Sequence, residues 1–207
     1  MTDYKDTLNL PKTEFEMRAG LAKKEPKYIS RWEGDKLYER IQKSRAKAPL
    51  FILHDGPPYA NGHLHHGHML NKILKDIVIK DRTMAGFREP YTPGWDCHGL
   101  PIEVQVDKEL GADKASMTRI NIRDACARYA RNYIDIQREE FRRLGVLTDW
   151  EKVYATIEVG YEGEVVRQLS RFVEGYFLYK GLRPVNWCTV HHTALAEAEV
   201  EYEDHRS

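Results

Sequence analysis

The fold is decided by residues 50–78, which read LFILHDGPPYANGHLHHGHMLNKILKDIV. The first four residues form a continuous apolar run, and the loop HDGPP at residues 54–58 closes it, which predicts a buried parallel strand ending in a constrained loop. Apolar residues then recur at helical spacing, which predicts a helix beginning near Gly67 or His68. The residues of this stripe are Met69, Leu70, Ile73, Leu74, Ile77 and Val78.

The pattern of a strand followed by a helix recurs downstream. A second strand is predicted at residues 87–91, before the turn-rich loop PGWDCHGLP at residues 93–101. A long helical period then runs from Ile122 to Leu144 and stops at Gly145, and another ends at residues 180–181. This alternation predicts an α/β fold with a doubly wound parallel sheet, whose ligands bind beyond the carboxyl ends of the strands. Both turn-rich loops lie at such ends.

The two ends of the chain have different patterns. Residues 1–26 are polar and contain two prolines, which predicts an extended arm. Next, the spacing of Ile29, Trp32, Leu37 and Ile41 predicts one short amphipathic helix, ending in the basic stretch at residues 43–47. Near the other end, residues 196–203 alternate small or apolar side chains with glutamates, which predicts a strand with one acidic face.

Composition limits the possible classes of protein. The chain has 207 residues, 42% hydrophobic and 31% charged, which is typical of a globular protein with a real core. Lys plus Arg equals Asp plus Glu at 32 each, so the chain lacks the basic excess of a dedicated nucleic-acid binder, and any RNA footprint would lie mostly elsewhere. An odd cysteine count of three argues against a disulfide framework. With no secretory signal and no membrane-length apolar run, we expect a cytoplasmic protein with no membrane partner.

Histidines cluster around the first loop. Six of the nine lie between His54 and His98. Imidazoles at a helix amino terminus can donate hydrogen bonds to phosphate oxygens, alongside backbone N–H groups and the positive end of the helix dipole. Gly67 leaves room for a flat ring to approach the backbone. The alternatives are a solvated histidine-rich loop or a loop that collects a stray metal ion.

The motifs around these histidines resemble those of the class I aminoacyl-tRNA synthetases. His65-His66-Gly67-His68 is similar to the His-x-Gly-His signature of that class. Its flanks at residues 55–62 and 71–76, together with PGWDCHGLPIE at residues 93–103, resemble the isoleucine-specific family. Residues 7–11, 185–188 and 194–202 also look like that family, so the resemblance covers nearly the whole chain.

The resemblance implies a Rossmann-like catalytic domain of which the chain carries the first half. Residues 1–47 would be the N-terminal arm and helix, residues 48–188 the half-domain, and residues 189–207 the start of an inserted editing domain. The implied activity is that of an isoleucine-tRNA ligase, with L-isoleucine, ATP and tRNA(Ile) as partners and no DNA. The full-length enzyme would be monomeric.

The resemblance also implies roles for single residues. His65 and His68 would contact the ATP phosphates and stabilise charge on the α-phosphoryl group, with Mg²⁺ accompanying the nucleotide. Asp96 would pair with the substrate ammonium, although its carboxylate could instead cap a helix or a local turn. The full ATP-binding set would be Pro58, Tyr59, His65, His66, Gly67 and His68, and the amino-acid set Gly56, Pro57 and Asp96.

Two positions leave the roles of their residues open. His66 stands where the family has an apolar residue, and a side chain pointing into the core would need a hydrogen-bond partner. Cys188 and His191 have the Cys-x-x-His spacing of half a zinc site, since zinc takes four such ligands, and the alternative is a turn around a buried Cys188.

The chain contains no match to the lysine-rich second signature of the class, Lys-Met-Ser-Lys-Ser, and almost none of the editing insertion. We therefore expect an amino-terminal fragment that cannot edit. Two further classes stay open: a nucleotide- or partner-binding module without turnover, which includes a paralogue, and another nucleotidyltransferase that shares His-x-Gly-His.

Overall fold

The computed structural model describes residues 7–9, 14 and 18–204. The described part contains six α-helices and four short strands. In chain order they are α1 (Leu21–Gly34), α2 (Leu37–Ser44), α3 (His66–Met84), β1 (Gly94–Trp95), α4 (Leu100–Leu110), α5 (Arg119–Arg143), β2 (Tyr154–Ala155), α6 (Val159–Glu174), β3 (Trp187–Cys188) and β4 (Thr193–Ala194); 3₁₀ turns cover Gly111–Ser116 and Glu197–Glu199.

Three extended segments run parallel, and the segment with β1 lies in the middle. β1 pairs with β2 in parallel, Gly94 opposite Tyr154 and Trp95 opposite Ala155. On the other side, the segment is joined to residues 50–59 by two parallel bridges, one from Leu50 to Arg88 and one between Tyr59 and Asp96. The predicted α/β class with a parallel sheet is therefore confirmed.

The long helix α5 is confirmed, and local chemistry explains where it begins and ends. The hydroxyl of Thr118 accepts a hydrogen bond from the N–H of Asn121 at 3.2 Å, which caps the first turn. At the other end Gly145 has φ +80°, a left-handed conformation that costs glycine little. The helix therefore ends where the sequence places the stop.

Helix α3 is also confirmed, but the side that it buries is the opposite of the expected one. Most of the predicted apolar stripe is exposed, whereas Lys72 and Asp76 are buried. These two and Lys80 recur every four residues, and each has partners: Asp76 accepts from the N–H of Leu147 at 3.2 Å, and Lys80 donates to the carbonyl of Gly145 at 3.1 Å. Paired charges can be buried at tolerable cost, which explains how the polar stripe faces inward.

The amino-terminal prediction needs correction. The predicted arm over residues 1–26 lies partly outside the described residues, and from Leu21 onward it is helical. Pro26 lies inside α1, where it removes one backbone hydrogen bond without ending the helix. The apolar stripe predicted for one helix belongs to two, α1 and α2, separated at Lys36, which has φ +48°.

Three strand predictions were wrong in extent. The run at residues 50–53 forms a single bridge at Leu50, and Ile52 is 70% exposed, so it is no buried strand. The run at residues 87–91 likewise reduces to the bridge at Arg88, and the strand lies later, at β1. Near the other end, residues 196–203 turn through the 3₁₀ segment Glu197–Glu199, because the carboxylate of Glu199 accepts from the N–H of Ala196 at 2.8 Å and closes that turn. The last predicted helix ends at Glu174, before residues 180–181.

The core lies where β1, α4 and α5 meet. Its largest fully buried apolar side chains are Trp95, Tyr91, Phe141, Ile102 and Val106. Within the described ranges, no helix is long and apolar enough to cross a membrane.

Candidate functional site

The amino terminus of α3 is formed by two stacked histidines. The rings of His65 and His68 lie 3.8 Å apart between centroids. Nδ1 of His65 accepts hydrogen bonds from the backbone N–H groups of Gly67 at 3.0 Å and His68 at 3.4 Å. Since Nδ1 accepts, the ring proton belongs on Nε2, which leaves that N–H as a donor for a ligand.

Gly67 makes this cap possible. A Cβ on Gly67 would lie 2.9 Å from Cε1 of His65, closer than real side chains approach one another. The sequence predicted room for a flat ring over this glycine, and the ring that occupies the room is the imidazole of His65. The lack of a side chain on Gly67 therefore leaves space for the His65 ring, and the N–H of Gly67 bonds to it.

His68 is the half-buried member of the pair. Burial lowers the pKa of its imidazole, and the nearby His65 and Lys72 lower the pKa further. Its Nδ1 is buried and has no hydrogen-bond partner within the described part of the chain. A buried ring nitrogen without a partner is unusual, and it marks His68 as a side chain able to accept a hydrogen bond or, once protonated, to donate one.

His66, the unusual residue of the signature, does not disturb the core. His66 is exposed, so its imidazole needs no partner in the core.

Pro58 and Tyr59, also predicted to bind nucleotide, lie on the first loop, and Tyr59 is 46% exposed.

The two turn-rich loops are joined side by side. The N–H of Ala60 donates to the carbonyl of Asp96 at 2.8 Å, and the N–H of Asp96 donates to the carbonyl of Pro58 at 2.8 Å. Asp96 also accepts from the N–H of His98 at 3.4 Å, so it makes a local turn contact while its carboxylate stays partly accessible. The structure thus brings Asp96 to the loop that holds Gly56, Pro57 and Tyr59.

A buried ion cluster lies beneath this junction, and the sequence analysis assigned no role to its members. Asp55 is 1% exposed and accepts from the ammonium groups of Lys72 and of Lys75, the latter at 2.6 Å, and from the N–H of Gly94 at 3.0 Å. Its backbone carbonyl accepts from the Tyr154 hydroxyl at 2.9 Å. Both loops, α3 and β2 therefore meet at one aspartate.

The charges of the cluster depend on one another. Burial alone would raise the pKa of the Asp55 carboxyl, but Lys72, Lys75 and the N–H of Gly94 outweigh it and hold that pKa below its usual range. Burial lowers the pKa of the Lys72 ammonium, and the Asp55 carboxylate opposes that shift. The ammonium of Lys72 also lies 5.1 Å from the centre of the Phe141 ring. The helical spacing of residues on α3 could not have indicated this cluster, because Asp55 is 17 residues from Lys72 and 39 residues from Gly94 in the sequence.

Helix α5 supports the first loop from the other side. The carboxylate of Glu140 accepts from the N–H of Leu64 at 3.0 Å and lies 2.6 Å from Nδ1 of His63. The hydroxyl of Tyr129 donates to the side chain of Asn61 at 2.8 Å. The loop before the signature is therefore fixed by side chains from a helix about seventy residues later in the sequence.

The predicted metal half-site is brought together on the β3–β4 hairpin. Sγ of Cys188 lies 3.3 Å from Nδ1 of His191, close to the about 3.6 Å that two tetrahedral zinc ligands would show. The N–H of His191 also points to that sulfur, at 3.4 Å. Among the described residues, no group of three His, Cys, Asp or Glu side chains could hold a metal ion. The zinc assignment stays a prediction.

A cavity of about 400 Å³ lies beside the second loop, between α4, α5 and the hairpin. Cys97, His98, Glu103, Cys126 and His191 are part of its lining. Of the predicted site residues, His191 lines this cavity, whereas His65, His68 and Asp96 do not.

Comparison with known proteins identifies the class. The family model of the tRNA synthetases class I (I, L, M and V) matches residues 27–206. The chain therefore belongs to the class I tRNA synthetases, and the resemblance drawn from its motifs is confirmed at that level.

Within the class, the similar curated proteins are isoleucine–tRNA ligases. Those of Syntrophotalea carbinolica and Kosmotoga olearia are each 56% identical to this chain over 205 residues, and that of Geobacter sulfurreducens is 55% identical. Each alignment covers 99% of this chain but 22% of the relative, so the chain spans about a fifth of the length of these proteins.

A solved structure supports the fold. The Agrobacterium radiobacter K84 agnB2 LeuRS, from its ternary complex with tRNA and LeuAMS, matches 87% of this chain and 21% of its own, with a TM-score of 0.66 and 22% sequence identity.

Proposed function

We propose that this chain is the amino-terminal part of an isoleucine–tRNA ligase, which activates isoleucine with ATP and transfers it to tRNA(Ile) in the cytoplasm. One observation carries the proposal beyond the likeness of sequence. The first loop, which leads into the amino terminus of α3 and its two histidines, is hydrogen-bonded at Pro58 and Ala60 to Asp96, which follows β1 at the carboxyl edge of the parallel sheet.

That edge suits the chemistry of activation. In this reaction the carboxylate of the amino acid attacks the α-phosphorus of ATP, and pyrophosphate leaves. The helix dipole of α3, its backbone N–H groups and the Nε2–H of His65 supply positive potential and hydrogen-bond donors for phosphate oxygens, with the half-buried imidazole of His68 stacked beside them. Asp96 supplies the negative charge for the substrate ammonium, beside Gly56 and Pro57. These groups act by positioning and electrostatics, without a covalent enzyme intermediate.

Metals enter the proposal in two ways. Mg²⁺ prefers oxygen ligands and keeps much of its own water, so the phosphates of ATP would carry it to the site, where it would neutralise phosphate charge. Zn²⁺ would be held by Cys188 and His191 as two of its four ligands, in a structural role on the hairpin.

The test is isoleucine-dependent exchange of labelled pyrophosphate into ATP, measured with the purified 207-residue chain and with the complete protein that carries it. We expect the complete protein to favour isoleucine over valine and leucine, and His68→Ala to lower its rate by at least tenfold. His192→Asn is the matched control, because His192 is exposed on the hairpin and its φ of +52° suits asparagine. No amino-acid-dependent exchange by a folded complete protein would refute the proposal.

The second candidate function is nucleotide or partner binding without turnover. Its basis is that Asp96, His65 and His68 could bind a ligand although the chain spans about a fifth of the length of its relatives. Exchange by the complete protein but not by the 207-residue chain, with ATP bound by both, would assign binding alone to this part.

A further inference from the structure

A single buried amide on α5 connects the two loops of the site. Gln137 is 0% exposed. Its Oε1 accepts from the indole N–H of Trp95 at 3.0 Å, on the second loop. Its Nε2 donates to the carbonyl of Tyr59 at 3.1 Å and to that of Gly62 at 2.8 Å, on the first loop. All three bonds therefore leave one side chain toward two different loops.

An amide is the side chain that these three partners require. An acceptor must face the Trp95 indole, while two donors must face two backbone carbonyls, and only Asn and Gln carry both functions on one planar group. A carboxylate in this place could still accept from Trp95, but it would face the carbonyls of Tyr59 and Gly62 with no donor. Because the position is fully buried, water cannot replace a lost bond cheaply.

The amide lies beside the junction that the reaction needs. Tyr59 and Trp95 flank the backbone pairing between Ala60 and Asp96. The first loop leads to the histidine signature, and the second carries the carboxylate of Asp96 one residue after Trp95. A shift of one loop along the other would separate the nucleotide site from the amino-acid site while leaving each loop intact.

We infer that Gln137 is a positioning residue that sets the placement of the nucleotide loop relative to the amino-acid loop. The inference rests on the proposed function, because it concerns the alignment of isoleucine with ATP. Activation requires the attacking oxygen within about 3.5 Å of phosphorus, and a displacement of about 1 Å can cost a hundredfold in rate. Gln137 acts through Trp95, Tyr59 and Gly62 and touches neither substrate.

The experiment measures pyrophosphate exchange in the complete protein for Gln137→Met and Gln137→Glu. In Gln137→Met we expect kcat to fall about 10- to 100-fold, while KM for ATP and for isoleucine each change by less than about threefold, because each loop still binds its own substrate. Gln168→Met is the matched control: Gln168 is exposed on α6 and bonds to Glu164 and Arg171 of its own helix. Circular dichroism and urea unfolding report the folded fraction.

Gln137→Glu adds a readout that a merely structural role would not move. Its carboxylate cannot donate to the Tyr59 or Gly62 carbonyl, but a protonated carboxyl can donate to one of them. Relative to the wild type at each pH, its exchange rate should therefore rise as the pH falls, whereas the ratio for Gln137→Met should stay flat. A flat ratio for Gln137→Glu would overturn the inference, as would a kcat loss in Gln137→Met no larger than the loss of folded protein.

The failure of the inference and that of the proposed function are distinguishable. Normal isoleucine-dependent exchange by the wild type, with unchanged kcat in Gln137→Met, refutes the inference alone. Absence of exchange by the wild type refutes the proposed function, and with it the role of Gln137 in alignment. Amide hydrogen exchange tests separately whether Gln137 restrains the first loop. The backbone amides of residues 59–64 should exchange faster in Gln137→Met than in Gln168→Met. Equal exchange rates would show that Gln137 does not restrain that loop and would refute the inference.

Discussion

Replacing Asp55 with Asn tests whether the buried ion cluster holds the site together. The change keeps the size of the side chain but removes its charge. Lys72, which is 2% exposed, then loses its only carboxylate partner among the described residues and keeps the Tyr91 hydroxyl at 3.1 Å. Lys75 is more accessible, at 16% of its side chain, and can turn its ammonium toward water.

The expected loss comes mainly from Lys72. Removing one partner of a buried ion pair costs about 3–5 kcal/mol, because the remaining charge stays buried without compensation. The pair with Lys75 adds little, since a partly exposed pair contributes at most about 1 kcal/mol. We therefore expect Asp55→Asn to lower the free energy of unfolding by about 3–5 kcal/mol. This loss is a large share of the about 5–15 kcal/mol that native domains have.

Urea unfolding followed by circular dichroism measures the loss. With a slope of about 2–3 kcal/mol per molar urea for a chain of this size, the midpoint should fall by about 1–2 M. The double variant Asp55→Asn with Lys72→Met removes both charges and should regain more than half of the loss, because a thioether packs well against the Phe141 and Tyr91 rings. A loss below about 1 kcal/mol, or a double variant less stable than the single one, would refute this reasoning.

The pH dependence gives an independent check of the same cluster. The pKa of the Asp55 carboxyl is lower in the folded protein than its ordinary value of 3.8. Its contribution to stability is therefore complete above that ordinary value and is lost as the pH falls through the folded value. The stability difference between wild type and Asp55→Asn should be constant from neutral pH down to about pH 5 and should shrink below about pH 4.

Three further outcomes follow from the structure. Gly94→Ala should lower the free energy of unfolding by about 3 kcal/mol in thermal denaturation, because its Cβ would lie 2.1 Å from the Tyr154 ring, and adding Tyr154→Ala should bring no further loss. Binding of ATP should raise the depressed pKa of His68, since an anion favours the charged ring; NMR titration of the His68 resonances with and without ATP should show this shift. Leu169→Lys, on the exposed apolar face of α6, should reduce self-association of the 207-residue chain in light scattering without changing its unfolding midpoint.

The sequence predicted helices well because their signals are local. The period ending at Leu144 and the glycine that follows it describe α5 with its real stop, and the stripe from Met69 to Val78 places α3. Which side of α3 faces inward was not predictable from that period. The inward side is chosen by Asp55, and by Gly145 and Leu147, which are 65 and 71 residues away from their partners on α3.

Strands and site contacts were predictable only in part, because they depend on partners distant in the sequence. The run at residues 50–53 has the composition of a strand, yet only Leu50 finds a ladder partner. Likewise, motifs indicated His65, His68 and Asp96, but no local pattern indicates that Gln137 or Glu140 would contact the loop that leads to them. Motifs can predict candidate binding residues, whereas the residues that support them are identified by geometry.

The site depends on side chains because the sheet beneath it is too short to fix the loops alone. β1 and β2 share two residue pairs, and the first loop meets the second through a single bridge at Tyr59 and Asp96. A short pairing of this kind is weak in water. The polar contacts described above supply what the backbone lacks, from α3 on one side and from α5 on the other. Because the contacts of Asp55 with Lys72, of Gln137 with both loops and of Glu140 with the N–H of Leu64 are buried or partly buried, losing one leaves an unsatisfied group and costs more than its average net value. We therefore expect substitutions at these supporting positions to reduce activity before they abolish the fold.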